Sequence, residues 1–290
     1  MMNGTELALQ LLPRRCLDRQ CREMLTGAEE IRLRIGQAPM ILQNGREYPL
    51  HGETVTEEEL MRTLEKATGA SLHTAAAALA RGFISYHGLR IGVCGTAYQR
   101  EDKVIGFRSF SSLAIRIPRE CKGICHELYA RLHKEQPDQL LILSPPGMGK
   151  TTALRELIRR FSCDGLRIGV VDERWEIAAS EQGRAQFDLG AHSDVLSGVP
   201  KATAAMMLLR TMNPQIIAMD EITQPEDLDA IREIIGCGVR LIATAHAAGP
   251  EELGKRPLYR TMLEERLFEA CIRISMQDGE RRYELQRLSH

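Results

Sequence analysis

The stretch Gln139–Phe161, QLLILSPPGMGKTTALRELIRRF, limits what this chain can fold into more than any other. Its opening QLLILS has the continuous apolar run of a strand buried on both faces. TTALRELIRRF places Leu154, Leu157, Ile158 and Phe161 on one side of a helix. A buried strand that enters an amphipathic helix through a small-residue loop is the unit that cradles phosphate. The N–H groups of Gly147, Met148, Gly149 and Lys150 are expected to point at an anion from the helix start. Lys150 is expected to reach the outer phosphate oxygens, and the Thr151 hydroxyl to bind Mg²⁺. Pro146 and Thr152 complete the stretch expected to contact ATP. The pattern G-x-x-x-x-G-K-[ST] asks for glycine at its first position, where this chain has Ser144. A serine there leaves the anion nest open if it exits the strand with negative φ, and that is the expectation.

Downstream, strand and helix patterns alternate: LRIGVVD, then KATAAMMLLRTM, then QIIAMDE, a helix from Pro225 to Ile235, and VRLIATAH. Apolar strands separated by amphipathic helices indicate a mostly parallel sheet covered on both faces. The carboxyl ends of such strands meet at the ligand edge. Asp220 and Glu221 end one strand about 70 residues after Lys150. Asp220 is the expected support of the Mg²⁺ shell and Glu221 the expected polariser of the attacking water. Asp172, Glu173 and Glu176 close the preceding strand beside Arg174, either next to the terminal phosphate or as a solvated turn. Thr244 and His246 end the last strand on the same edge, where His246 is a candidate sensor of the terminal phosphate. Arg210 precedes the Asp-Glu strand and is a candidate arginine donor. Trp175 reads as packing.

The first part of the chain follows a different rule. EIRLRI, PMILQ and REYPL alternate as strands, with Asn44-Gly45 as a hairpin turn. Thr56 with Glu59 reads as a capping box opening a helix through Lys66. SLHTAAAALARG reads as a second helix, and FISYH, LRIGVCGTAY, VIGFRSF and SLAIRIP as four short strands. The expected organisation is an α+β domain over 1–120, a linker helix over 121–138 carrying Ile124, Leu128 and Leu132 on one face, and an α/β nucleotide-binding domain over 139–290. A net charge of −1 gives no global pull toward nucleic acid or anionic membrane. No apolar run approaches the roughly 18 residues that span a bilayer. The arginines of MMNGTELALQLLPRR follow the apolar stretch, the wrong order for a secretory signal, so a cytoplasmic protein is expected. The eight cysteines include no C-x-x-C pair. Cys121, Cys125 and His126 lack further ligands at recognisable spacing, so reduced thiols are expected.

LLRTMNPQIIAMDEI, the helix end IIGCGVR and LIATAHA together resemble the ATPases of type II and type IV secretion and pilus machines. VVDERWEIA, RGFISYHGLRIGVCGTA and SSLAIRIPRE resemble, within that superfamily, the stage III sporulation protein AA family of endospore-forming bacteria. The resemblance covers about residues 29–276. It implies a RecA-like P-loop ATPase domain behind a smaller N-terminal α+β domain, and a ring homo-oligomer, most simply a hexamer. It implies work in the mother cell, peripheral to the membrane facing the forespore, on integral membrane components of a secretion-like channel. By the same resemblance Lys150 and Thr151 are the Walker A pair, and Asp220 and Glu221 the Walker B pair. Asp172, Glu173 and Glu176 match an acidic box, and His246 a His box. Arg108 and Arg116 become candidates to reach the nucleotide from the first domain. Secretion ATPases usually carry Gly-Glu where this chain has Asp220-Glu221, which favours Glu221 as base over Asp172 and Glu173.

Three other readings compete with an oligomeric ATPase motor. A small-molecule kinase needs an arginine-rich lid after the loop, and no such segment stands there. A nucleic-acid-stimulated motor draws on the seven Arg/Lys against three Asp/Glu in residues 81–120, but with near-neutral net charge nucleic acid is not the expected partner. A nucleotide-dependent switch or scaffold without fast turnover draws only on Ser144.

Overall fold

The computed structural model describes residues 4–43, 45–69, 75–100, 103–117, 122–180, 183–277 and 280–288. The chain divides into two units, Met1–Arg119 and Glu120–His290.

The N-terminal unit opens with helices α1 (Gly4–Leu11) and α2 (Arg19–Leu25). Strands β1 (Glu30–Arg34), β2 (Met40–Gln43) and β3 (Arg46–Pro49) follow, then helices α3 (Glu57–Ala67) and α4 (Ala76–Ala80), then β4 (Phe83–Tyr86), β5 (Leu89–Arg100) and β6 (Lys103–Arg116). They form a six-stranded sheet in the order β3-β2-β1-β6-β5-β4 with every neighbouring pair antiparallel. Alternate residues Ile31, Leu33, Ile91, Val93, Leu113 and Ile115 are buried and join the apolar sides of the helices, including Leu11, Leu25, Leu60 and Leu64. The opposite face carries Glu30, Arg32, Arg34, Arg90 and Arg116, as period-two alternation requires.

The local signals of this unit are visible in its bonds. Thr56 Oγ1 accepts from Glu59 N at 3.2 Å while Glu59 Oε2 accepts from Thr56 N at 3.0 Å, completing the capping box. Strands β2 and β3 flank Gly45 at φ +75°, while Asn44 lies outside the described residues. The helix read over SLHTAAAALARG is described from Ala76 to Ala80, and residues 70–74 of that segment lie outside the description. VIGFRSF and SLAIRIP are not two strands but one, β6. Its polar middle, Ser109 to Ser112, stays extended because it pairs with β5 across three register shifts. Gly95 permits that approach, since a Cβ there would stand 2.0 Å from Ser109 O.

The C-terminal unit contains α5 (His126–Glu135), β7 (Gln139–Ser144), α6 (Lys150–Cys163), β8 (Ile168–Asp172), β9 (Ser193–Ser197), α7 (Lys201–Thr211), β10 (Ile216–Met219), α8 (Pro225–Gly236) and β11 (Arg240–His246). Short helices α9 (Pro250–Leu253) and α10 (Pro257–Glu264) precede a closing hairpin of β12 (Ala270–Gln277) and β13 (Glu280–Arg287). The sheet order is β13-β12-β7-β11-β10-β8-β9, parallel throughout except for β13. Leu141, Leu143, Val171, Ile217, Met219, Leu241 and Ala243 face one layer, with residues of α7, α8 and α10. Leu140, Ile142, Ile168, Val170, Ile216, Ala218 and Ile242 face the other, with α5 and α6. Apolar residues on both faces of each central strand are what two helical layers demand.

Helix α5 begins at His126, later than the reading from residue 121, because Gly123 at φ +84° turns the chain ahead of it; Cys121 lies outside the described residues. Leu128 and Leu132 pack with Leu140 and Phe161, so α5 is part of this unit's core and not a free linker. The hairpin β12–β13 and strand β9 extend the sheet beyond the four strands read from the sequence.

Candidate functional site

The loop after β7 has the backbone of an anion nest. Gly147 and Gly149 both take positive φ, +76° and +95°, conformations that a β-carbon would strain. Ser144 is fully buried as the last residue of β7, keeps a negative φ, and its hydroxyl donates to Pro145 O at 2.9 Å. Its side chain therefore turns onto the following backbone and does not fill the nest.

Helix α6 starts at Lys150, whose ammonium is mostly buried. Nζ donates to Ser144 O at 3.0 Å and Pro145 O at 3.3 Å and lies 2.8 Å from His246 Nδ1. Burial pushes the Lys150 ammonium below the ordinary lysine range, against the attraction of Asp220 and Glu221. His246 ends β11, where it stands in register with Ser144. The other ring nitrogen, Nε2, lies 3.0 Å from Glu221 Oε1. Arg174 Nη1 donates to the second Glu221 oxygen at 2.8 Å. A continuous polar chain thus runs Lys150–His246–Glu221–Arg174 across the strand ends.

A second chain lies beside it. Thr151 Oγ1 donates to Asp220 Oδ2 at 2.9 Å, and Thr244 Oγ1 donates to Asp220 Oδ1 at 2.5 Å. The Glu221 N–H donates to Thr244 Oγ1 at 2.9 Å and Asp220 Oδ1 at 3.0 Å. Glu221 holds φ +39°, a left-handed conformation that costs a non-glycine residue on the order of 1–3 kcal/mol and persists where surrounding bonds over-determine it. One of those bonds comes from Thr244 on β11 and the other from Asp220, itself held by Thr244, so the position of Glu221 depends on the neighbouring strand.

Asp172 has a different employment. It is 1% exposed and accepts from three backbone N–H groups: Glu176 at 2.8 Å, Ile177 at 3.0 Å and Ala178 at 2.9 Å. Burial pushes its carboxyl above the ordinary range, while those three donors pull the other way. Arg155 braces the same turn, donating to Ile177 O at 2.8 Å and Glu176 O at 2.9 Å, with its guanidinium over the Phe187 ring. Glu173 pairs with the buried Lys201 at 3.0 Å, and Lys201 also faces Asp227 at 3.5 Å. The acidic box is therefore a braced turn with most of its acceptors committed. Val171, Arg174 and Glu176 line a small cleft together with Asp172, Glu173, Lys201, Asp220 and Glu221. Trp175 lies against Gly198, in van der Waals contact with backbone.

The structure brings together Lys150, Thr151, Asp220, Glu221, Thr244 and His246, with Asp172 and Glu173 on the adjoining strand end. It does not bring Arg210 there. Arg210 is exposed in the last turn of α7, five or more residues ahead of β10, at the amino edge of the sheet, whereas the loop after β7 lies at the carboxyl edge. Arg108 is exposed on β6, and Arg116 on the same strand pairs with Glu30 at 3.4 Å; both belong to the N-terminal unit. Sequence reasoning missed two residues. Arg174 carried a signal, lying inside the acidic cluster. Arg281, which donates from Nε to Met148 O at 3.0 Å, is 133 positions away from its partner and carried none.

Among the described residues no helix is long and apolar enough to cross a membrane.

The fold is mixed α/β and resembles that of the secretion ATPases. The chain superposes on the "Pilus Retraction Motor PilT and Bound ADP" with TM-score 0.66 and 15% identity, covering 100% of this chain and 84% of that one. It superposes on the Yersinia pseudotuberculosis ATPase DotB with TM-score 0.64 and 14% identity, covering 91% and 76%. Within that class the chain belongs to the family described as "Sporulation stage III, protein AA", which matches residues 6–283. It is 34% identical over 257 residues to "Stage III sporulation protein AA" of Bacillus subtilis (strain 168), spanning 87% of this chain and 83% of that protein. It is also 33% identical over 165 residues to "Uncharacterized protein ycf45" of Porphyra purpurea, spanning 54% of this chain and 27% of that protein.

Proposed function

We propose that this chain is an ATP-hydrolysing motor with a RecA-like catalytic domain. In this reading copies assemble into a ring, most simply a hexamer, that energises a secretion-like channel at the membrane between mother cell and forespore. The observation that carries the catalytic half is the convergence of Lys150 and Thr151 with Asp220, Glu221 and His246 on adjacent parallel strands. The family and the fold shared with a pilus retraction motor and DotB ATPases support the motor half.

Thr151 and Asp220, already 2.9 Å apart, offer a hydroxyl and a carboxylate of the kind that holds Mg²⁺. Bound there, Mg²⁺ would supply charge neutralisation at the phosphate oxygens. Gly147–Lys150 would bind the phosphates of ATP through backbone N–H groups, with the Lys150 ammonium leaving its two carbonyl partners to join them. Glu221 is the assigned base: it orients water and takes its proton as the water oxygen bonds to the terminal phosphorus and the bond to the ADP oxygen breaks. Asp172 is not the base in this reading, because its oxygens are held by three backbone donors. His246 links the lysine that meets the phosphates to the glutamate that activates water.

The test is ATP turnover measured alongside mass-resolved oligomeric state. Lys150→Ala and Glu221→Gln should each lower kcat on the order of a hundredfold or more. Asp172→Asn should cost less turnover and more stability. Unchanged hydrolysis in Lys150→Ala would refute the site assignment.

A further inference from the structure

We propose that Arg281 is a nucleotide-binding arginine supplied by the same chain as the phosphate loop, and that it reads the inner phosphate of a nucleoside di- or triphosphate. The proposal rests on the reading of the loop as a nucleotide site.

The topology sets the position. Strand β12 runs parallel to β7, pairing Ala270 with Leu140 through Arg273 with Leu143. It then continues to Gln277, past the edge where β7 gives way to the loop. Three more residues advance the strand by roughly 10 Å. There Met276 stands opposite Arg281 at the start of β13. Tyr283 and Leu285, in the same alternation as Arg281, pack on the side of the sheet that carries α6. Arg281 therefore stands on that side, at the start of the helix. Its Nε donates to Met148 O at 3.0 Å and lies 3.4 Å from where a β-carbon on Gly149 would be. Among the described residues neither Nη group has a protein partner, and the side chain is exposed.

The loop is therefore flanked by two cations with different aims. Lys150 turns inward toward Ser144, Pro145 and His246. Arg281 sits on the outer rim, with one donor anchoring it and two forks open. A guanidinium held this way offers a pre-organised pair of N–H donors suited to a phosphate. The sheet order tells the two ends of the ligand apart. Strand β7 has β11 on one flank, with β10 beyond, and β12 on the other. His246, Asp220 and Glu221, the groups that would meet the terminal phosphate, all stand on the first flank. Arg281 stands on the second, so it meets the end of the polyphosphate nearer the ribose.

This makes a prediction that separates binding from chemistry. Equilibrium binding of a fluorescent ADP, displaced by ATP or ADP, should be measured for the parent chain, Arg281→Ala, Arg281→Lys and Lys150→Ala, with steady-state turnover alongside. Arg281→Ala should weaken ADP and ATP by the same factor, on the order of tenfold or more, as for loss of a hydrogen bond to a charged group. It should raise KM more than it lowers kcat, and Arg281→Lys should recover part of the affinity. Unchanged ADP affinity in Arg281→Ala, with binding lost in Lys150→Ala, would overturn the proposal and leave the nucleotide site standing. Unchanged binding in Lys150→Ala would overturn the site itself. Amide exchange of residues 145–152 in the unliganded protein supplies the structural control. Faster exchange in Arg281→Ala, with no rescue by lysine, would make Arg281 a loop brace only and would also overturn the proposal.

Discussion

The two units build sheets of similar size by opposite rules. In the N-terminal sheet every strand pair is antiparallel, alternate residues are buried, and the polar face is occupied by ion pairs such as Arg34–Glu47 and Arg116–Glu30. In the C-terminal sheet the central strands are buried on both faces, and polar groups are confined to the strand ends. That confinement concentrates Lys150, Asp220, Glu221, Thr244 and His246 at one edge, where each group finds partners on a neighbouring strand. A sheet covered on one side can scatter its charges over the other. A sheet covered on both sides has no place for them but its ends, and there they form a site.

The contrast is open to attack, most forcefully at Asp172. Replacing it with alanine strips the partner from two buried N–H groups and one half-buried one, and each buried group left unsatisfied costs on the order of 1–3 kcal/mol. Asp172→Ala should therefore destabilise the C-terminal unit by roughly 3 kcal/mol or more, seen as faster amide exchange in that unit alone. A variant that folds as stably as the parent would end the reading of Asp172 as a structural acceptor. Thr56→Ala, in the N-terminal unit, removes one half of a capping box and should cost about 1 kcal/mol there, with turnover unchanged. Loss of turnover in that variant would show that the units do not divide stability and chemistry as argued. Arg174→Ala breaks a pair in which the arginine is over half exposed, so its effect on stability should fall within about 1 kcal/mol. Its effect on kcat should be larger in proportion, because it frees one Glu221 oxygen.

The mildest test is acid. Burial pushes the Glu156 carboxyl up, but Arg159, the Gly123 N–H and Arg160 outweigh it and hold the group below the ordinary glutamate range. A depressed carboxyl contributes stability that is present above its unfolded value and lost as pH falls through the folded one. The C-terminal unit should therefore weaken below about pH 4.3, the ordinary glutamate value. Glu47 is also depressed, by Arg34, but its side chain is 34% exposed against 3% for Glu156. Added salt should accordingly soften the acid response of the N-terminal unit more than that of the C-terminal unit. Equal salt sensitivity in the two would remove this part of the contrast.

Legibility in the sequence followed the range of the interactions. The capping box at Thr56, the strand-loop-helix at residues 139–161 and the Asp220-Glu221 strand end are local patterns, and the structure carries each of them. The division of VIGFRSF and SLAIRIP was misread because Ser109 to Ser112 looks like a turn, whereas pairing with β5 keeps it extended. The C-terminal hairpin does have a local signal, Asp278-Gly279 between the alternating runs CIRISMQ and ERRYELQR, which the four-strand reading leaves out.

By itself the sequence determined that a glycine-bearing loop joins a buried strand to a helix on a doubly covered sheet, because apolar periodicity and loop composition are properties of neighbouring residues. Only the tertiary structure decided how the carboxylates divide their work. Asp172 and Glu221 are alike as acids at strand ends. What separates them is three backbone donors folded over one, and a histidine from another strand set against the other. The same holds for Arg281, which meets the loop through a hydrogen bond spanning 133 positions. No local pattern encodes such a contact, because it exists only once the strands are laid side by side.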